Sequence, residues 1–178
     1  MIFESQRLSV RKLRDTDFDA FHEMQSDDEV MRFTYGKGFD EVENRRQLED
    51  CISRYSKPEN DFWVWAVVCK SDQQFLGTCA IVPNDSRPEI GYRLLRKFFG
   101  HGYGQEICDR LIDYGISELQ LSEIIAYVDV RNIASAKILD RSRLPFVKQF
   151  INDDGIVDRF YRWTREHHDP IRSHGSQR

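Results

Sequence analysis

Three glycines at alternate positions stand out in the middle of the chain: Gly100-His101-Gly102-Tyr103-Gly104. An extended run precedes them and a helical pattern opens near Gln105. Glycine lets the backbone turn tightly and brings N–H groups close to a ligand. The first N–H groups of a helix have no internal partner, and the helix dipole makes that end positive. Together they make a site for an anion such as a pyrophosphate, with no lysine needed. A P-loop is excluded, because G-x-x-x-x-G-K-[S/T] is absent. A dinucleotide fingerprint needs G-x-G-x-x-G after the first strand of a parallel unit. The spacing here is G-x-G-x-G, after three strands that look antiparallel. By themselves the glycines also fit a turn that binds nothing.

Other chemistries are disfavoured. Cys51, Cys69, Cys79 and Cys108 form no C-x-x-C pair and have no histidine cluster beside them, so no metal site is expected. Each lies in an apolar stretch and reads as a small core residue in a reducing compartment. The net charge is −4 and no basic block stands out, which argues against nucleic acid as a partner. The N-terminus lacks the pattern of a signal peptide, and no apolar run approaches a membrane span. A cytoplasmic protein that binds no membrane is expected. With 178 residues, 40% hydrophobic and 31% charged, the chain suits one globular domain, over residues 1–168, with a polar, disordered tail over 169–178.

The elements that must position the loop follow from periodicity. Leu8, Val10 and Leu13 alternate with polar residues as a half-exposed strand. Asp15 offers a cap for a helix through Phe18, Phe21 and Met24, up to about Ser26. A loop over Met31–Phe39 leads to a second helix from about Val42 to Tyr55, which stops before Pro58. Phe62–Cys69 and Phe75–Val82 read as an antiparallel hairpin, followed by a polar turn over Pro83–Pro88 and a strand over Glu89–Leu94. Trp63 and Trp65 share a face of their strand and suit core packing. The helix after the glycines runs from Gln105 to about Leu119, with Ile107, Leu111 and Ile112 on its apolar face. A strand over Glu123–Val130 and a helix opening near Asn132 come next. Two strands, about Phe146–Ile151 and Val157–Thr164, close the chain around the turn Asn152-Asp153-Asp154-Gly155. The fold class is α/β (α+β): a mixed, mostly antiparallel twisted sheet of about seven strands with helices on both faces.

The stretch from Glu89 to Glu106 resembles the GNAT superfamily of acetyltransferases. Its Glu89-Ile90-Gly91-Tyr92-Arg93-Leu94 and Gly100-His101-Gly102-Tyr103-Gly104-Gln105-Glu106 are similar to the E-I-G-Y-x-L and W-G-x-G-Y-A-x-E-A of RimJ/RimL-type members. Asn132-Ile133-Ala134-Ser135 resembles their N-x-x-S. Ser5-Gln6-Arg7-Leu8-Ser9-Val10-Arg11 resembles their T-x-R-L-x-L-R opening. The resemblance spans about residues 5 to 166. It implies a GNAT fold with a splay between the fourth and fifth strands and acetyl-CoA as cosubstrate.

By the same resemblance, Phe99, Gly100, His101, Gly102, Tyr103 and Gly104 wrap the CoA pyrophosphate. Backbone of Tyr92, Arg93 and Leu94 pairs with the pantetheine arm. Asn132 hydrogen-bonds that arm or caps its helix, and the two roles can coexist. Phe99 replaces the Gln or Arg of many GNAT members, and His101 reads as exposed loop or as a phosphate contact. Glu89 matches a position that often serves as base; its alternative is a carboxylate paired with an arginine. Ser135 is the candidate to help the thiolate leave and a cofactor-side residue, or an ordinary first-turn hydroxyl. Leu139 stands where many members place an acidic tyrosine, which leaves Tyr92, Tyr127 and Tyr161 as substitutes. Tyr35 lies where members build the acceptor site. Arg143 stands where the subfamily usually has a glycine; if left-handed geometry is kept there, it costs roughly 1 kcal/mol, and otherwise the helix ends differently. The implied reaction is direct attack of a primary amine, on a protein N-terminus or a small molecule, with no covalent enzyme intermediate. A non-catalytic acyl-CoA-binding sensor and a nucleotide-binding protein of another fold are the alternatives. The oligomer is expected to be a monomer or homodimer.

Overall fold

The computed structural model describes residues 1–165; the expected tail over 169–178 lies outside them. The chain runs β1 (Phe3–Glu4), β2 (Leu8–Lys12), α1 (Phe18–Ser26), α2 (Asp28–Met31), α3 (Glu41–Arg54), β3 (Trp63–Cys69), β4 (Phe75–Asn84) and β5 (Arg87–Leu94). It continues through α4 (Tyr103–Ser117), β6 (Glu123–Asp129), α5 (Ile133–Arg141), β7 (Phe146–Ile151) and β8 (Val157–Thr164). The eight strands form one sheet in the order β1-β2-β3-β4-β5-β6-β8-β7. The strand beyond the expected seven is β1, which at two residues is too short to give a periodic signal.

Local chemistry sets the element ends. Asp15 is not the cap of α1. A 3-10 turn occupies Asp15–Asp17, and Arg11 holds Asp17 through two 2.7 Å bonds while the Arg14 N–H donates to it at 2.8 Å. In the expected loop before α3, Asp27 accepts from the Glu29 N–H and caps the short α2. Asp40 caps α3 by accepting from the Glu43 N–H at 2.8 Å. β4 and β5 reach further into the expected polar turn, because Asp85 and Ser86 both take left-handed φ, 49° and 62°. Two such residues make the tight hairpin turn that matches strand twist. α4 opens at Tyr103 rather than Gln105, since Gly102 at φ 78° turns the chain directly into the helix.

The sheet separates two cores. α4 and α5 cover one face, where Ile90 and Leu94 of β5 meet Ile107, Leu111, Ile124 and Leu139. α1 and α3 cover the other, where Phe21, Leu48 and Ala66 pack. Burying each large side chain contributes about 1.5–3 kcal/mol. Trp65 belongs to the first core and stacks on Trp63 at 5.9 Å, the packing role expected of that pair. All four cysteines are free thiols; burial pushes Cys51 up to about 11 and Cys108 up to about 12. No helix among the described residues is long and apolar enough to cross a membrane.

Candidate active site

The site begins where the sheet comes apart. β5 pairs with β4 along its whole length, from Asn84↔Arg87 to Gly77↔Leu94. On its other flank it makes one parallel pair, Glu89↔Ile125, and then diverges from β6. This is the expected splay, between the fifth and sixth strands once β1 is counted. Backbone groups on that edge of β5 have no strand partner past Glu89, and an extended ligand arm can satisfy them. On the α4/α5 side, the Tyr92 ring fills the gap between β5 and the helices. A Cβ at Gly104 would stand 2.8 Å from Ile138 Cδ1 and 3.5 Å from Tyr92 Cε2, so α4 packs closely on α5 and β5 there and a larger residue needs Ile138 to move.

The glycine loop lies at the end of β5. Gly100 and Gly102 both have φ 78°, a conformation that favours glycine. A Cβ at Gly100 would meet nothing within 4 Å, so the loop stands open to a ligand. Gly102 is the N-cap of α4 and supplies no capping side chain, which leaves the first N–H groups of the helix to bind an anion. The loop is clamped from far away in sequence. Glu106 Oε1 accepts from Ser5 Oγ at 2.6 Å and the Arg7 N–H at 2.7 Å, and Oε2 accepts from Arg7 Nε at 2.7 Å. Arg7 Nη1 then donates to the His101 carbonyl at 3.0 Å, and its guanidinium lies 4.4 Å from the Tyr103 ring centre. The sequence reading placed Arg7 and Glu106 in motifs without seeing that they meet.

One cavity of about 1,090 Å³ runs through the splay and is lined by every expected site residue except His101. The His101 ring bonds back to the Phe99 carbonyl at 2.9 Å and stacks on Tyr103, as an exposed loop residue. Phe99 is 46% exposed at the cavity's rim. The candidate catalytic residues fall on opposite faces of the sheet. Glu89 and Arg93 alternate with Ile90 and Leu94 and so face the α1/α3 side. Ser135, on α5, faces the other side.

Burial raises the pKa of Glu89, against the lowering effects of the Asn84 amide, the Tyr127 N–H and the Arg87 charge. Asn84 Nδ2 donates to Glu89 Oε2 at 2.8 Å, a partner the sequence did not reveal. Glu89 makes no ion pair with an arginine among the described residues, so the paired-carboxylate alternative does not apply. A carboxylate with a raised pKa beside a gap in the sheet is equipped to take a proton. The Arg93 guanidinium donates to Gln25 Oε1 at 2.6 Å and lies 5.4 Å from the ring centre of Tyr35. Tyr35 is 60% exposed, leans on Phe39 and lines the same end of the cavity.

Across the sheet, burial also raises the pKa of Tyr92, and only Ser135 among its neighbours favours the ionised form. Tyr92 Oη is buried without a partner at good hydrogen-bond geometry. Asn132 Oδ1 caps α5 by accepting from the Ser135 N–H at 3.2 Å, and its Nδ2 makes no protein hydrogen bond among the described residues. The cap and a ligand contact are therefore compatible. Tyr127 and Tyr161 are engaged elsewhere: Tyr127 accepts from Arg87 at 3.0 Å, and Tyr161 donates to Asp140 at 2.6 Å. Arg143 is not left-handed. α5 ends instead through Ser142, whose hydroxyl donates to the Leu139 carbonyl at 2.8 Å and accepts from the Leu144 N–H at 3.1 Å. Arg143 is left free to pair with Asp113 at 2.5 Å, and the strain anticipated there does not arise.

A mixed sheet parted at one parallel pair, with a glycine loop and a helix N-terminus at the end of the parting strand, defines a GNAT-type acyltransferase. The family model described as "Acetyltransferase (GNAT) domain" matches residues 7–144, and the chain belongs to that family. Among curated proteins it is 32% identical over 139 residues to the uncharacterized N-acetyltransferase p20 of Bacillus licheniformis, covering 76% of this chain and 78% of that one. Its fold is similar to a GNAT-family acetyltransferase of Bacillus anthracis, with a TM-score of 0.81 at 22% identity over 92% of this chain and 98% of that one. It is also similar to a spermidine N-acetyltransferase of Vibrio cholerae solved with CoA and spermine. The TM-score is 0.74 at 15% identity, over 90% of this chain and 96% of that one.

Proposed function

We propose that this acetyltransferase moves the acetyl group of acetyl-CoA to a primary amine by direct attack, as a RimJ/RimL-type enzyme with residues 1–168 working as one domain. The observation that carries the reading is the single pair Glu89↔Ile125, after which the free edge of β5 runs along the cavity to the glycine loop. The residues there suit the cosubstrate. The N–H groups that follow Gly102 meet the pyrophosphate, the open edge of β5 near Tyr92–Leu94 pairs with the pantetheine arm, and Asn132 Nδ2 donates to it. Acetyl-CoA supplies the activated acyl group, and the protein's residues manage the protons. Glu89 takes the ammonium proton of the acceptor, directly or through water, so that a neutral amine attacks. A backbone N–H on the parted edge of β5 donates to the developing oxyanion. Tyr92 and Ser135, on the other face, supply a proton where the thiolate departs.

Following thiol release from acetyl-CoA with a panel of amines tests this reading. Turnover with at least one primary amine is expected. Gly102→Glu, which forces a side chain into left-handed geometry and puts a negative charge at the α4 N-terminus, is expected to weaken CoA binding by roughly tenfold or more. Tight CoA binding with no turnover on any amine would identify a non-catalytic acyl-CoA sensor instead. Unchanged affinity in Gly102→Glu would move the pyrophosphate elsewhere.

A further inference from the structure

Arg11 and Arg93 are both partly withdrawn from solvent, and they are treated differently. Arg11 is neutralised by Asp17, which takes two of its N–H groups at 2.7 Å each. Arg93 has no such partner. It has five N–H donors, and among the described residues one of them meets an acceptor at good geometry, Gln25 Oε1 at 2.6 Å. Gln25 is itself buried and fixed, donating to Gln47 Oε1 at 2.8 Å. Burial works most strongly against the charge, Tyr35 and then Cys51 favour it, and no carboxylate contributes. Arg93 also lines the cavity, on the face of the sheet that carries Glu89. A buried cation without a counter-charge is costly, and the cost falls when a ligand brings the missing anion.

Glu89 and Arg93 are four residues apart on one strand, about 13 Å between Cα atoms at strand rise. One end of the acceptor half of the cavity therefore suits an ammonium or amine, and the other suits an anion with flat, two-oxygen geometry, which a guanidinium binds in bidentate fashion.

We propose that Arg93 binds a carboxylate carried by the acceptor, so that the enzyme acetylates amines that bear one: free amino acids, or peptides with an acidic side chain beside the amino terminus. This inference rests on the N-acetyltransferase reading above. Pure polyamines lack the group that Arg93 awaits.

Matched acceptors test the proposal with the intact protein. Free L-amino acids are compared with their C-terminal amides, and dipeptide amides carrying Asp or Glu at the second position are compared with those carrying Asn or Gln. Thiol release from acetyl-CoA reads the rate. In at least one series, the carboxylate member is expected to be favoured in kcat/KM by about tenfold or more, the scale of a hydrogen bond to a charged group. The series that shows the preference identifies the source of the carboxylate. Arg93→Gln is expected to erase the preference, bringing the carboxylate acceptors down to the kcat/KM of their amide partners, and Arg93→Lys to retain part of it. Should Arg93→Gln fail to fold, the wild-type comparison still decides. Turnover of amides or polyamines at rates equal to or above the carboxylate partners overturns the Arg93 inference alone. A preference that survives Arg93→Gln also overturns it. No acetyl transfer to any amine overturns the enzyme reading together with this one.

Discussion

Replacing Glu106 by glutamine tests whether the glycine loop is held by a residue ninety-nine positions away from its anchor. Glu106 accepts three short bonds, from Ser5 Oγ, the Arg7 N–H and Arg7 Nε. Glutamine keeps one acceptor oxygen for Ser5 and the Arg7 N–H, but its amide N–H groups then face Arg7 Nε–H. One charge-assisted bond is lost and two are weakened. Such bonds contribute about 1.5–3 kcal/mol each when sheltered, but Arg7 is 43% exposed and water screens the pair. We expect a loss of about 2 kcal/mol, or roughly 4–8 °C in Tm for a chain of this size. With Arg7 unanchored, its bond to the His101 carbonyl weakens too. Losing one hydrogen bond of about 1 kcal/mol raises the Kd for CoA about fivefold. Calorimetric melting and titration with CoA measure both. Glu23→Gln, at an ion pair exposed on both sides, is the control and should shift stability by less than about 0.5 kcal/mol. A fall in Tm with unchanged CoA affinity would show that the clamp stabilises the fold without shaping the loop. An unchanged Tm would refute the energetic reasoning altogether. Despite its partial burial, Glu106 has a lowered pKa because Ser5 and Arg7 outweigh desolvation. The clamp's contribution is therefore complete above the ordinary glutamate range and lost as pH falls through the lowered value.

Glu89→Gln should lower kcat by about 10²–10⁴, the usual contribution of a positioned base. The wild-type rate should fall with acidity through a value above the ordinary glutamate range, because burial raises the pKa of this carboxyl; full activity of the variant from about pH 6 to 9 would exclude Glu89 as the base. Tyr92→Phe removes a buried hydroxyl that lacks a well-placed partner, so stability should hold or rise by about 1 kcal/mol. Its kcat should fall about tenfold or more at unchanged KM for acetyl-CoA, and an unchanged kcat would remove Tyr92 from thiolate departure. Arg143→Gly should not stabilise the protein, since the position is not left-handed and the Asp113 pair is lost; a cost of up to about 1 kcal/mol is expected in thermal melting, and a raised Tm would contradict the geometry.

The sequence by itself determined the order of the elements and the place of the glycine loop at the start of a helix. Alternation marks β2 and β5, whose side chains meet opposite faces of one sheet, and a continuous apolar run marks β3, which is buried on both. The glycines at 100, 102 and 104 announce a loop and helix start because the first two take left-handed φ and the third lies where the helix packs closely. These are local properties, written within a few neighbouring residues. Element ends were less legible: the Asp15–Asp17 turn, the two-residue β1 and the early start of α4 depend on bonds and turns that periodicity does not encode.

Tertiary structure alone decided the rest, because each feature joins residues distant in the chain. The single parallel pair that opens the sheet involves Glu89 and Ile125. The clamp on the loop joins Arg7 to Glu106. Whether Arg143 is strained or the helix ends differently is settled by Ser142, which ends the helix, while Asp113 receives the arginine. Above all, the strand carrying Glu89, Tyr92 and Arg93 is written in one short run. Only the packing of α1 and α3 on one face and of α4 and α5 on the other sends Glu89 and Arg93 to one side of the sheet and Tyr92 to the other.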